Sequence, residues 1–186
     1  MYDVNTTICL VCLSSKKMAK FLWLLLVVVL ICPAYGYGVK AWDLEKAKEY
    51  TQAKDIYLDL STRFPASIHY EEAVFKTAMI YTYVLRDIEK GRSYFKDLAD
   101  KEKITPAVIS SLYQLGLLAQ WQKDLSTAKG YYDSLLDRAG RAFGDRRALT
   151  KIRLKEIAQA KPLEYNLKKF LDVSLNKENF IFSMSK

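Results

Sequence analysis

Three segments of the chain carry one pattern of apolar and polar positions. Glu49 to Leu60 reads EYTQAKDIYLDL, Asp87 to Leu98 reads DIEKGRSYFKDL, and Asp124 to Leu135 reads DLSTAKGYYDSL. Each has a small residue (Ala53, Gly91, Ala128), a ring four residues on (Tyr57, Phe95, Tyr132) and a leucine three further (Leu60, Leu98, Leu135). A basic residue follows the small one every time, as Lys54, Arg92 and Lys129. Steps of four and three put small residue, ring and leucine on one helical face. Recurrence every 37 or 38 residues marks a supersecondary repeat.

The stretches between these copies read as their partner helices. Ala41 to Tyr50 is helical in composition and forms a truncated first half, followed by Thr51 to Phe64 and stopped by Pro65. Ser67 is placed to cap the next helix, with Glu71 and Glu72 near its positive end. That helix runs to about Leu85 on an apolar stripe of Phe75, Ala78, Met79, Tyr81 and Val84. Thr105-Pro106 opens another, to Gln122, because proline suits a first helical position. Beyond Asp137, Asp145 is expected to cap a helix over Arg146 to Gln159, with Ala148, Leu149, Ile152, Ile157 and Ala158 facing inward. Pro162 starts a last one, Leu163 to about Leu175, amphipathic through Leu167, Phe170, Leu171 and Leu175. Asn176 to Lys186 is expected to fray, unless Phe180, Ile181 and Phe182 dock or bind something.

The frame Ala53, Tyr57, Leu60, Pro65 resembles the second half of a tetratricopeptide repeat. Phe64-Pro65-Ala66-Ser67 and Glu71-Glu72-Ala73 are similar to the spacer of its bacterial periplasmic subgroup, FP-x-S…EEA. The resemblance covers about residues 41 to 137. Its first-helix signature is poorly kept, with Gly116 alone at the small position and Ala78 or Met79 there in the second copy. It implies an all-α, right-handed α-solenoid of helical hairpins with C-terminal capping helices. It also implies a concave face lined by the first helix of each pair, where peptide contacts would fall on Glu72, Phe75, Thr82, Tyr113 and Gln120. A lone hairpin cannot bury its apolar face, so neighbours must stack. Gly91 stands where the other copies have alanine, and glycine costs about 1 kcal/mol in a helix interior. Gly91→Ala is therefore expected to be neutral or stabilising.

Ahead of the repeats, Lys16, Lys17 and Lys20 precede the apolar run Phe21 to Cys32, followed by Pro33-Ala34-Tyr35-Gly36. Positive charge, an apolar core and small-x-small form a secretory signal cleaved after Gly36. A run this short falls below the ~20 apolar residues of a spanning helix, yet an uncleaved anchor is the alternative. Met18 is a more typical signal start than Met1, so residues 1 to 17 read as an over-extension of the frame. The domains expected are 1–36 for the signal, 37–137 for the repeats and 138–186 for a basic helical cap and tail. Cys9, Cys12 and Cys32 all lie in the leader, so the mature chain has no disulfide framework and no cysteine metal site. The bulky Ile31 before Cys32 departs from a lipidation pattern. The expected location is periplasmic or secreted, or membrane-anchored if the leader stays.

Net charge is +8, and most of it lies after Asp137. Arg138, Arg141, Arg146, Arg147, Lys151, Arg153 and Lys155 cluster there, and no aromatic residues interleave them from Arg146 on. Export and that lack of aromatics argue against nucleic acid. The cluster is either a solvated capping face or an anionic surface site on Arg141, Arg146, Arg147 and Lys151. Catalytic chemistry finds no support, because His69 is the sole histidine. His69 with Glu72 gives two metal ligands and no third, so the bland reading of His69 is a surface residue in a first helical turn. Gly36-x-Gly38-x-x-Ala41 fits a dinucleotide fingerprint in spelling only, because strand–helix alternation is missing. No enzyme activity, cofactor or metal is expected. The resemblance implies a scaffold or adaptor for a protein or peptide partner in the cell envelope, in outer-membrane protein assembly or beside the Tol-Pal system. The alternative is an anchored surface protein whose basic segment binds anionic lipid or lipopolysaccharide.

Overall fold

In the computed structural model, Lys20, residues 34–160 and Leu163 are described. Of the expected leader they include Lys20 and residues 34–36, which begin the first helix, while the three cysteines and, apart from Leu163, the helix expected from Pro162 lie outside them. Among the described residues seven α-helices follow one another, the first six as antiparallel pairs. They are α1 (34–46) with α2 (Tyr50–Arg63), α3 (Tyr70–Met79) with α4 (Ile88–Ala99), α5 (Pro106–Trp121) with α6 (Leu125–Arg138), and then α7 (Gly144–Ala158). A π-helical turn, Ile80–Val84, extends α3, and a short 3-10 turn, Arg141–Phe143, precedes α7. Each pair packs on the next, α2 on α3, α4 on α5 and α6 on α7. The fold is an all-α solenoid of helical hairpins.

The thrice-written residues are its interior. Ala53, Tyr57, Leu60, Phe95, Leu98, Ala128, Tyr132 and Leu135 have no exposed surface. Phe95 packs tilted against Phe75 at 5.5 Å between ring centres, and Tyr132 against Tyr113 at 6.0 Å. Truncating such a ring to alanine costs about 3–5 kcal/mol.

The pairs turn alike. Lys48, Arg86 and Lys123 have φ of 62°, 61° and 65°, the left-handed conformation that closes a helix end. Glu49 N–H donates to Leu44 O at 2.8 Å and Asp124 N–H to Ala119 O at 3.0 Å. Asp87 and Asp124 then cap α4 and α6, accepting from Lys90 and Thr127 N–H. The first pair therefore breaks at Lys48, before the Tyr50 boundary expected from composition. Thr105 caps α5 through Val108 N–H with Pro106 in the first turn, as its sequence predicts. Ser67 instead accepts from His69 N–H at 3.2 Å, ahead of the helix, and α3 starts at Tyr70.

The unequal repeat spacing has a local cause. Phe75 meets a ring twenty residues later, whereas Tyr113 meets one nineteen later. The second hairpin holds one more residue in its first helix, and the π turn at Ile80–Val84 absorbs it.

Two expectations are corrected. Asp145 does not cap α7, whose N-cap is Phe143. Nor do Ala148, Leu149, Ile152 and Ala158 face inward: all are exposed, Leu149 by 42% and Ile152 by 50%. The inward face carries Thr150, Leu154 and Ile157, held there by Arg147, which donates to the Leu136 and Ala139 carbonyls at the end of α6.

Gly91 is the third. A Cβ there would lie 1.9 Å from Thr82 Oγ1, 2.9 Å from Ala78 O and 3.0 Å from Thr82 N. The helix backbones of α3 and α4 approach where the sister copies have room for a methyl group. Gly91→Ala should thus lower the melting temperature by several degrees, an overpacking cost of about 1–3 kcal/mol. An unchanged or raised temperature in thermal denaturation would show that the two helices separate freely at this point.

Candidate interaction surface

The first helices α1, α3 and α5 are joined by a buried polar ladder. Glu45 accepts from the Tyr57 hydroxyl at 2.9 Å and from Lys76 Nζ at 3.1 and 3.3 Å. Tyr83 donates to Gln114 Oε1 at 2.5 Å, and Tyr132 to Gln120 Oε1 at 3.0 Å. Positions 45, 83 and 120 each lie twelve residues before a ring of the repeated frame. Where that ring is tyrosine, its hydroxyl reaches back within the hairpin. Where it is Phe95, Tyr83 carries the hydroxyl and reaches forward, as Lys76 reaches back to Glu45 across the same 31 residues. Sequence reasoning missed Glu45, Lys76, Tyr83 and Gln114, although their spacing within the repeat would have exposed them.

Glu72 joins this interior. It is 4% exposed, and its Oε2 has no hydrogen-bond partner. Burial pushes its carboxyl up to about 8, Lys76 opposes this and Glu45 adds to it. Tyr57 is also raised, by burial first and by the Glu45 carboxylate second. His69 is only 4% exposed, its ring 6.0 Å from that of Tyr35, so it is not the surface histidine expected. Burial lowers its pKa.

The five residues named for partner contact all lie inside. Phe75 and Thr82 have no exposed surface, Glu72 and Gln120 have 4% and 3%, and Tyr113 has 6%. Phe75 and Tyr113 pack edge-tilted against rings of the second helices, Gln120 pairs with Tyr132, and Thr82 abuts Gly91. Glu72 also lines a cleft of about 380 Å³ between the starts of α3 and α5, with Ile68, Tyr70, Lys103 and Thr105. Ile68 stands 72% exposed at its rim. Behind it Glu71 accepts from Lys101 at 3.0 Å and from the Thr105 hydroxyl at 2.5 Å, tying α3 to the α4–α5 loop. An open groove of about 780 Å³ lies between the end of α4 and α6, over Leu112 and Tyr131.

The basic residues divide by role. Arg138 donates to the Ala99 and Lys101 carbonyls, and Arg147 to those ending α6, so both close helix C-termini. Arg146 lies 4.9 Å over the Tyr113 ring. Arg141 and Lys151 are exposed. Among the described residues, no group of His, Cys, Asp and Glu is arranged to hold a metal, and no helix is long and apolar enough to cross a membrane.

Residues 110–140, which span most of α5 and all of α6, match a family model described as a tetratricopeptide repeat. The match supports the tetratricopeptide repeat family. It falls on the hairpin in which Gly116 receives the Tyr132 ring. No curated protein and no solved structure matches the chain. Tetratricopeptide arrays generally mediate protein or peptide binding and typically serve as non-catalytic scaffolds.

Glu72 makes stability depend on pH. Its folded-state pKa lies above that of an unfolded glutamate, so the folded chain holds a proton that the unfolded one releases between about pH 4.5 and 8. Stability should fall as pH rises through that window, by up to about 1.4 kcal/mol per unit. Glu72→Gln should flatten the slope and stabilise the protein at pH 8, checked by urea midpoints from pH 5 to 8. An equal slope in both proteins would mean that Glu72 is ionised throughout.

Proposed function

We propose that this chain is an exported scaffold that binds a protein or peptide partner in the cell envelope. The observation that carries this reading is the stack of tetratricopeptide-type hairpins, whose repeated-frame residues are buried in packing. Such a stack offers open grooves between its helices. The basic-plus-apolar leader supports export. The spacer Phe64-Pro65-Ala66-Ser67 with Glu71-Glu72-Ala73 favours a role in outer-membrane protein assembly or beside the Tol-Pal system. On this reading the partner docks at the cleft between the starts of α3 and α5, where Ile68 stands exposed.

A second reading rests on the exposed basic residues Arg141 and Lys151 and on the exposed apolar pair Leu149 and Ile152 of α7. A chain kept at the membrane by residues 21–32 would use them on anionic head groups, and that contact would weaken with salt.

Cross-linking in intact cells followed by capture of the tagged chain should recover envelope proteins. Capture that yields no envelope protein would overturn the scaffold reading. Carbonate extraction separates the two readings, because a cleaved periplasmic chain washes off the membranes and an anchored one stays.

A further inference from the structure

Gly130 sits in the middle of α6 without the reason that Gly91 and Gly116 have. Those two hold a neighbouring helix or ring closer than a Cβ would allow. At Gly130, among the described residues, no atom lies within 4 Å of the Cβ position. The sister positions are Asp55 and Ser93, and glycine costs about 1 kcal/mol in a helix interior. The packing of the chain on itself therefore gives no ground for this glycine. Its effect is to open the groove of about 780 Å³ between the end of α4 and α6. Thr127 and Ser134, small as well, line the same wall, with the half-buried Tyr131 ring beside them.

The groove is acidic at one end. Asp100 and Glu102 are exposed there, and neither pairs with a basic side chain among the described residues. The two basic residues of the same lining are committed elsewhere. Lys101 pairs with Glu71 at 3.0 Å, and Arg138 donates to the Ala99 and Lys101 carbonyls. Asp100 is also the C-cap of α4, at the negative end of the helix, where a carboxylate is unfavourable and a cation favoured. A surface of the opposite character lies on the same chain. Ala148, Leu149, Lys151, Ile152 and Lys155 of α7 are exposed, Leu149 by 42% and Ile152 by 50%. Steps of three and four put them on one face. The other side of α7, with Thr150, Leu154 and Ile157, holds it to α5 and α6, so the exposed face cannot turn into the groove of its own chain.

We propose that α7 of one copy docks in the α4–α6 groove of a second copy. Leu149 and Ile152 enter over Tyr131 and Gly130, where the missing side chain lets a helix come close. Lys151 and Lys155 meet Asp100 and Glu102. Each chain carries both halves of the contact on separate patches, so the contact is exchanged between two copies or passed along a row of them. It needs no envelope partner and stands apart from the scaffold reading. It uses the α7 face that the second reading gives to anionic head groups, and experiment separates the two.

The test coexpresses the full chain under two different tags, captures one and measures the other. Wild-type chains should capture one another. Lys151→Glu with Lys155→Glu should cut capture about tenfold or more, since like charges then face each other, and Asp100→Lys with Glu102→Lys should do the same. Coexpressing the two charge-reversed chains should restore it, because every α7 then faces a groove of opposite sign. The reversed residues are all exposed, and an unchanged melting temperature checks that both chains fold. Gly130→Leu should abolish capture while the melting temperature holds or rises, because leucine favours the helix and meets open space. Wild-type chains that do not capture one another, capture that ignores the charge reversals or Gly130→Leu, or folded reversed chains that fail to restore it would overturn the proposal. So would a chain that stays single and loses only its binding to anionic vesicles on Lys151→Glu with Lys155→Glu, a result that favours the lipid reading.

Discussion

The contact between a second-helix ring and the backbone of its first helix is what the remaining structure depends on. A Cβ at Gly116 would lie 2.4 Å from Tyr132 Cε1, so the ring rests directly on the α5 backbone. In the second hairpin the exchange is reversed. Gly91 on α4 receives the backbone of α3 at Ala78 and Thr82, and the Phe95 ring packs on Phe75. Close approach sets the spacing within each pair, and that spacing lets the next pair stack on it. Dispersion contacts at this density tolerate neither a void nor an added methyl group.

Polar groups are fitted into that packing, not around it. The Tyr57, Tyr83 and Tyr132 hydroxyls all find acceptors in the interior, and Lys76 finds Glu45. A buried ion pair adds little net stability, but it fixes which neighbours can meet, because the wrong register leaves a charge unpaired. The first two hairpins are matched through Glu45 and Lys76, the next two through Tyr83 and Gln114. Glu72 is the one carboxyl of this group with an oxygen left unpartnered, and burial keeps it protonated near neutrality. Arg138 and Arg147 extend the same economy to the helix ends, using basic charge to close carbonyls. Part of the positive charge after Asp137 is thereby spent on architecture.

The hairpins were legible in the sequence because their frame of small residue, ring and leucine is a local pattern with helical spacing. Thr105-Pro106 and the caps at Asp87 and Asp124 are equally local. What was not legible depends on tertiary rotation. Gly91 looked like a missing alanine because nothing in its own helix reveals the backbone of α3 a few ångströms away. The inward face of α7 was misplaced because its apolar stripe, Ala148, Leu149 and Ile152, is outbid by Arg147 and Thr150. The candidate contacts Glu72, Phe75, Thr82, Tyr113 and Gln120 were inferred from position in a repeat, and helical position alone does not distinguish a groove-facing side chain from one packed against its partner helix. The extra residue of the second hairpin leaves no mark in composition, only a spacing of 38 where the next is 37.

A double-mutant cycle between Gly116 and Tyr132 tests the ring-on-backbone contact most directly. Gly116→Ala alone should destabilise the chain by about 1–3 kcal/mol in urea denaturation, since the ring has nowhere to move. In a Tyr132→Leu background, with the ring removed, most of that cost should vanish, giving a coupling well above the few tenths of a kcal/mol seen for independent sites. An equal cost for Gly116→Ala in both backgrounds would contradict the account.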